Sequence, residues 1–575
     1  MLKYHGRPGI HSGLVLALLF LTFLSFSHGC SSNNDSTGTV FMTADLKNLI
    51  HKHGLYFSLD YQAQSIEIGF NKPLNPESVP GNIDLYDKDG TLSENYSVAV
   101  DGDSVFILFH DGYQLKAGWQ YFVFISGSVE SAYGHLMEED TTLEIRTTSR
   151  NIFVEDATTG GANQVERTAI VCISDVHMGE ERAVDRGYCW FGENADALQD
   201  FVEKVQKNET VLELVILGDL FDEWLIPFDT KPFDGTVSDS SEYFHAVRDA
   251  PTNAPIFDTL AEISSGGKIH LVYVRGNHDM LIDQTTLGEL LSGAVFKGQI
   301  DGLGSYSPVD GVMMEHGHRY DFFNSPQQLV NPDHILPPGY FVSRLWAAGM
   351  AAEGDQKGAL SAEETDKGPF GDRELTFPLA WGAALIYTEV QFPALAPPSL
   401  SEPVILMSGI DGYADPFSFD GAREMYVNGD IKTLWPDTQD QNRVQAIMPV
   451  AISILNGHSD LFVEAEVEYL ENEGRGIRIV VFGHTHKPML GVYPPGDQQH
   501  TGIYANTGSW INEASAGYIG GSAYNVRTFV VYTPAAWTGS NLDVVTLYQY
   551  NLSNDGTTYE AVKLAEESLN VGQMP

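Results

Sequence analysis

The sequence predicts an α/β (α+β) chain built as two folded units, an all-β module followed by an α/β sandwich that a long helical insertion interrupts. Three observations predict it. From about Phe41 to Thr148, apolar and polar residues alternate in the β manner. From Arg167 onward, short apolar runs alternate with stretches of helical periodicity, the pattern of strands and helices packed in layers. Past Asp321 that alternation stops until Ile477, far longer than an ordinary connection.

The N-terminus carries Lys3 and Arg7, an apolar stretch from Leu14 to Phe26, and small residues before Cys30. This is secretory-signal grammar over residues 1–29, too short to span a bilayer comfortably. Ser27-His28-Gly29-Cys30 resembles a degenerate bacterial lipoprotein signal, with Ser27 where an aliphatic residue is usual. The expectation is an exported protein of the cell envelope (outer membrane or periplasm), held to the membrane through a lipid anchor at Cys30. Ordinary cleavage after Gly29 would instead give a secreted product. Residues 30–40 read as a polar tether.

Within 41–149, Ser65–Phe70 and Val105–Phe109 read as strands and Asp87-Lys88-Asp89-Gly90 as a turn. Phe70-Asn71-Lys72-Pro73-Leu74, the run Leu115–Tyr121 and the closing Ile145-Arg146-Thr147-Thr148 resemble bacterial Ig-like modules of secreted and surface proteins. That resemblance implies a β-sandwich used for spacing or docking. Residues 150–166, with Thr158-Thr159-Gly160-Gly161, read as a linker.

The second domain is expected over 167–555. Its strand candidates are Thr168–Ile173, Leu212–Leu217, Ile269–Val274, Gly311–Met314, Ile477–Val481 and Gly502–Ala505. Leu198, Phe201, Val202 and Val205 share one helical face; Phe257, Leu260 and Ala261 begin another, stopped by Gly266-Gly267. The insertion, about 324–474, contains Pro337–Phe341, a helix around Ser343–Ala352 and the apolar stretch Phe377–Pro398, and reads as a helical cap. Leu379–Tyr387 reads as a core helix of that cap, with a lipid- or substrate-facing surface as the other reading; Glu389 and Pro393 argue against a membrane span. Residues 556–575 read as a C-terminal tail.

The net charge of −45 favours solubility and repels nucleic acid at long range, so no nucleic-acid partner is expected. A small phosphorylated substrate stays compatible, because bound cations dominate the field of their own site. Cys172 reads as a buried apolar residue; a disulfide to Cys189 is left open, and no CxxC pair offers a thiolate zinc site.

Five motifs follow the apolar runs in fixed order: ISDVHMG (Ile173–Gly179), GDLFDEW (Gly218–Trp224), RGNHD (Arg275–Asp279), EHGHRYD (Glu315–Asp321) and FGHTHKP (Phe482–Pro488). Asp175 and His177 lie two apart past a strand end, where extended backbone points both side chains the same way. Asp219 offers two oxygens that can bridge two cations, Asn277 a neutral amide oxygen, and His316, His484 and His486 imidazoles. Hard oxygen plus nitrogen suits Mn, Fe(II) or Zn. Each lone residue fits a solvated loop equally well; five motifs, each after an apolar run, do not.

Together these motifs match the DxH, GDxxD, GNHD, GH and GHxH pattern, and the stretch from about Arg167 to Tyr550 resembles the calcineurin-like metallophosphoesterases. The resemblance implies a double β-sandwich flanked by helices, with two divalent ions along one edge. It implies Asp175, His177, Asp219 and His486 at one metal and Asp219, Asn277, His316 and His484 at the other. It implies in-line attack of a metal-bridging hydroxide on a phosphate monoester, diester or pyrophosphate, with His278 contacting the phosphate and assisting the leaving oxygen, oriented by Asp279. Asp222 stands where purple acid phosphatases have an iron-ligating Tyr, so an Fe(III)–tyrosinate centre is not expected. The spelling is also similar to the branch that cleaves UDP-diacylglucosamine, but His318 replaces the Asp of its HGD, which leaves His318 behind the ligands or facing substrate. Asn506 or Trp510 is a candidate for the site edge. The expected partner is a phosphorylated small molecule or envelope component. The alternative is a non-catalytic surface scaffold or adhesion protein on the same fold.

Overall fold

The computed structural model describes residues 42, 44–47, 49–137, 139–153, 167–189, 191–230, 240–298, 301–329, 334–352, 403–406, 410–428, 431–449, 453, 461–496, 499–511 and 526–571. The signal, the tether, Cys30, Thr158–Gly161 and Phe377–Pro398 lie outside them. Among the described residues no helix is long and apolar enough to cross a membrane.

The N-terminal strands are β1 (Ala44–Lys47), β2 (Ile50–Lys52), β3 (Tyr56–Leu59), β4 (Ser65–Phe70), β5 (Ile83–Asp87), β6 (Gly90–Thr91), β7 (Tyr96–Asp101), β8 (Ser104–Phe109), β9 (Gln120–Ile125) and β10 (Thr141–Thr147). They form a sheet of order β1-β4-β8-β7 and a second of order β2-β3-β10-β9-β5-β6. Alternate residues point inward, as period-2 strands require, and Ile66, Ile68, Val105, Ile107, Val123 and Ile145 meet in one core. Asp87–Gly90 forms the expected reversal between β5 and β6.

The second unit contains β11 (Ala169–Ile173), β12 (Val211–Leu217), β13 (His270–Val274), β14 (Val295–Phe296), β15 (Ser305–Tyr306), β16 (Val312–Glu315), β17 (Pro403–Ile405), β18 (Phe417–Ser418), β19 (Ile479–Phe482), β20 (Met489–Tyr493), β21 (Gly502–Asn506), β22 (Thr528–Thr533), β23 (Leu542–Leu552) and β24 (Tyr559–Asn570). A seven-stranded sheet runs β14-β13-β12-β11-β22-β23-β24 and a five-stranded sheet runs β15-β16-β19-β21-β20. Ile170, Cys172, Val215, Val272, Met314, Ile479, Val481 and Ile503 fill the space between these sheets. The other face of the larger sheet packs on the helices Ala195–Lys207 and Ala254–Ser265 through Phe201, Val202, Phe257 and Leu260. The central strands are apolar on both faces because both faces are covered.

β11, β12 and β13 run parallel in one sheet, and β16, β19 and β21 run parallel in the other. Their carboxyl ends are where the motifs begin, and ligands of parallel sheets bind beyond such ends.

The described part of the insertion holds the helices Pro338–Ala352, Phe419–Asn428 and Ile431–Gln441 and the small β17–β18 pair. The first helix begins five residues before the expected Ser343, with Pro338 at its start, where a missing N–H costs nothing.

One expectation is corrected, and one open alternative is closed. Residues 559–570, read within a tail, form β24, paired along its length with β23. Its charged face meets the N-terminal module: Lys52 pairs with Glu567 at 3.0 Å, Arg146 donates to the Ser568 carbonyl at 2.7 Å, and Ser149 N–H donates to Glu566 at 3.1 Å. Cys172 and Cys189 form no disulfide; both are buried free thiols, one in the inter-sheet core and one beside the His177 carbonyl.

Candidate metal centre

The loops after β11, β12 and β19 lock together through backbone. Val176 and His177 N–H donate to the Asp219 carbonyl at 2.8 and 2.9 Å, and Trp510 N–H to the Asp175 carbonyl at 3.0 Å. His484 N–H donates to the Asp175 carboxylate at 3.0 Å. Asp175, His177, Asp219, His484 and His486 all hold φ between 54° and 71°. Left-handed backbone at non-glycine residues costs on the order of 1–3 kcal/mol each and persists where the surroundings over-determine it, typically at functional sites. Gly218 and Gly276 let the second and third motifs touch: a Cβ on Gly218 would sit 2.5 Å from the Gly276 Cα, and one on Gly276 would sit 2.1 Å from Asp219 Oδ1.

The seven predicted ligands converge. Asp175, His177, Asp219 and His486 are buried and bring one ligand atom each within 4.8 Å of the others. His177 Nε2 lies 3.0 Å from His486 Nε2, and His486 Nε2 lies 3.3 Å from Asp175 Oδ1. Asp219 Oδ2 lies 3.7 Å from His177 Nε2 on one side and 3.2 Å from His316 Nε2 on the other. Asn277 Oδ1 is 3.0 Å from His316 Nε2 and 3.0 Å from His484 Nδ1.

Hydrogen bonds on the far sides of the rings decide what those nitrogens present. His316 Nδ1 donates to the Leu217 carbonyl at 2.7 Å, so a neutral ring points the Nε2 lone pair at Asp219 and Asn277. His484 Nε2 donates to Asp321 at 3.2 Å, which leaves the Nδ1 lone pair toward Asn277. His177 Nδ1 faces Asp222 at 3.4 Å. Lone pairs thus meet lone pairs and carboxylate oxygens in a buried space, an arrangement that a divalent cation satisfies. The donor set fits such an ion.

The electrostatics agree. Burial alone would lift Asp175 and Asp219, yet the nearby imidazoles, His316 first, hold both below the usual carboxylate range. Burial alone would lower His316, but Asp219 and Asp175 push it up to about 9. Without a cation, a proton must stand between these groups.

His278 sits beside this cluster, and with His177 and Asp222 it forms a second group whose ligand atoms lie within 4.8 Å of one another. Its side chain is 12% exposed, against 0% for His177 and His316. Asp279 was expected to orient it and does not. The Asp279 carboxylate instead accepts from Leu220 N–H at 2.9 Å, from Gly276 N–H at 2.7 Å and from the Tyr273 hydroxyl at 2.5 Å, bracing the second and third motifs. Asp222 makes that contact instead: its Oδ1 accepts from His278 Nδ1 at 2.9 Å. The spacing of GDLFD marks Asp222, but only three-dimensional contact assigns its partner. Burial lowers the His278 pKa, and the Asp222 and Asp219 carboxylates more than offset this, so the net shift is upward. Trp224 stacks on the ring at 4.5 Å, and Tyr340 of the insertion meets Trp224 edge-on at 5.8 Å.

His318 is buried 5.4 Å from the His316 ring, with Nε2 on the Gly302 carbonyl at 3.2 Å, so it packs behind the ligands. Asn506 donates to the Gly483 carbonyl at 2.7 Å and braces the FGHTH turn. Trp510 lies in the helix-side core against Phe201 rather than at the site edge.

The family model for calcineurin-like phosphoesterases matches residues 168–358. The match contains the first four motifs. No curated protein matches the chain. Among solved structures, a dimetal phosphatase from Danio rerio is 11% identical over 71% of this chain and 100% of that one, with a TM-score of 0.27. Vps29 from Chaetomium thermophilum is 9% identical over 70% and 98% of the two chains, with a TM-score of 0.23. The N-terminal part of the bacterial S-layer protein SbsC is 20% identical over 18% of this chain, at a TM-score of 0.13, and the match spans only 24% of that structure. Likenesses this low carry no argument about activity; the site residues carry it.

Proposed function

We propose that this chain is a dimetal phosphoesterase of the cell envelope, cleaving a phosphate monoester, diester or pyrophosphate. The observation that carries the reading is Asp219 Oδ2, a single buried oxygen faced by imidazole nitrogens from both ligand groups. Two divalent cations there would lower the pKa of a water between them and neutralise charge on the phosphate oxygens. The chain's own residues supply the rest. Asp175, His177 and His486 complete one side; Asn277, His316 and His484 complete the other. Asp222 fixes the His278 ring through Nδ1, so Nε2 is the nitrogen that carries a proton to the leaving oxygen. The strained loop backbone keeps these groups in place before substrate arrives.

The insertion reaches the site through Tyr340 and Trp224, which favours a substrate larger than a simple phosphate ester. Export and a lipid on Cys30 would bring the enzyme to envelope phosphates; incorporation of radiolabelled palmitate that depends on Cys30 tests the anchor, and its absence removes it.

Aryl phosphate monoester, aryl phosphate diester and a nucleoside diphosphate sugar, offered to protein reconstituted with Mn²⁺, test the activity. Hydrolysis of at least one is expected, lost with chelator and restored by Mn²⁺. No hydrolysis, or hydrolysis indifferent to chelator, would point back to a binding scaffold.

A further inference from the structure

We infer that Asp321 and Asn324, on the stretch leaving the fourth motif for the insertion, are positioning residues that aim His484 and Asn277 at one cation. The inference rests on the two-ion reading. Asp321 is buried, and its Oδ2 accepts from His484 Nε2 at 3.2 Å. That bond fixes the tautomer in which His484 Nδ1 has its lone pair toward the cation position. The same Asp321 Oδ2 also accepts from Asn324 Nδ2. With its amide so turned, Asn324 offers Oδ1 to Asn277 Nδ2 at 3.2 Å.

This second contact matters because an asparagine amide has two orientations of nearly the same shape. In the observed one, Asn277 presents Oδ1 to His316 Nε2 and His484 Nδ1, each at 3.0 Å, and the three acceptors call for a cation or, in its absence, a proton. Flipped, Asn277 would present its NH₂ to the same two lone pairs and satisfy them with no ion at all. Asn324 opposes that flip, since its Oδ1 would then face the Asn277 oxygen. The Phe323 N–H, donating to Asp321 Oδ1 at 2.9 Å, holds the carboxylate in turn. One carboxylate thus sets two ligands, one directly and one through an amide. Both belong to the same cation position in the two-ion reading.

The test is a Mn²⁺ titration of metal-free full-length protein, followed by calorimetry and electron paramagnetic resonance. Wild type should take two ions and give the spectrum of an exchange-coupled pair. Asp321→Ala and Asn324→Leu should each keep one ion at wild-type affinity. Both should bind the second roughly 10- to 100-fold more weakly, the usual cost of losing an outer hydrogen bond to a ligand, and show an isolated-ion spectrum at Mn²⁺ levels that fill wild type. Asn324 is half-buried and tolerates replacement best, so Asn324→Leu decides if Asp321→Ala loses both ions. A coupled pair at wild-type Mn²⁺ levels in Asn324→Leu, or loss of both ions there, would overturn the inference. A wild type that takes fewer than two ions would instead sink the two-ion reading itself.

Discussion

Asp219→Asn will lose bound metal and activity together. Asn has the same size, and one amide oxygen can still accept from His278 N–H as Asp219 Oδ1 does at 2.8 Å, so the loop should persist. A neutral amide, however, no longer balances two cations from one oxygen. The carboxylate now lies within 3.2 Å of His316 Nε2 and 3.7 Å of His177 Nε2. Removing it takes charge from both positions at once. Metal content should fall below one ion per chain, and turnover should drop by at least the roughly 10²–10³-fold seen when a transition-state stabiliser is deleted. Elemental analysis of dialysed protein, with hydrolysis rates on the same sample, reads both. Two retained ions would show that Asp219 is not shared.

His278→Ala should separate chemistry from binding. In the proposed reading the ring lies beside the centre and supplies no ligand, and its anchor is Asp222 at 2.9 Å. Turnover should fall about 10²–10⁴-fold, the usual contribution of general acid–base catalysis, while metal content stays at wild-type level. The loss should be larger for alkyl than for nitrophenyl leaving groups, because a poor leaving group needs the proton more. An equal loss for both would mean that His278 only binds phosphate.

What was legible in the sequence follows from what local pattern encodes. The five buried strands are mostly apolar runs, and each candidate ligand sits one to four residues past one, so the candidates can be named before any geometry. Pair contacts between distant loops were not legible. Asp279 stands next to His278 in sequence, yet its carboxylate turns to Tyr273 and the Leu220 amide; Asp222, on another strand end, reaches the imidazole. Asp321 ends the EHGHRYD motif in sequence, and its contact to His484 spans the whole insertion. Lys563, Glu566 and Glu567 of β24 meet their partners, Ser149 and Lys52, only in the fold, across more than 400 residues of sequence. The left-handed backbone at five ligands had no signal either, since Asp and His there look like ordinary loop residues.

Anomalous diffraction from crystals grown with Mn²⁺ would locate the ions outright. Two peaks per chain about 3.5–4 Å apart are expected, on either side of Asp219. A single peak, or none among these seven side chains, would contradict the two-ion reading.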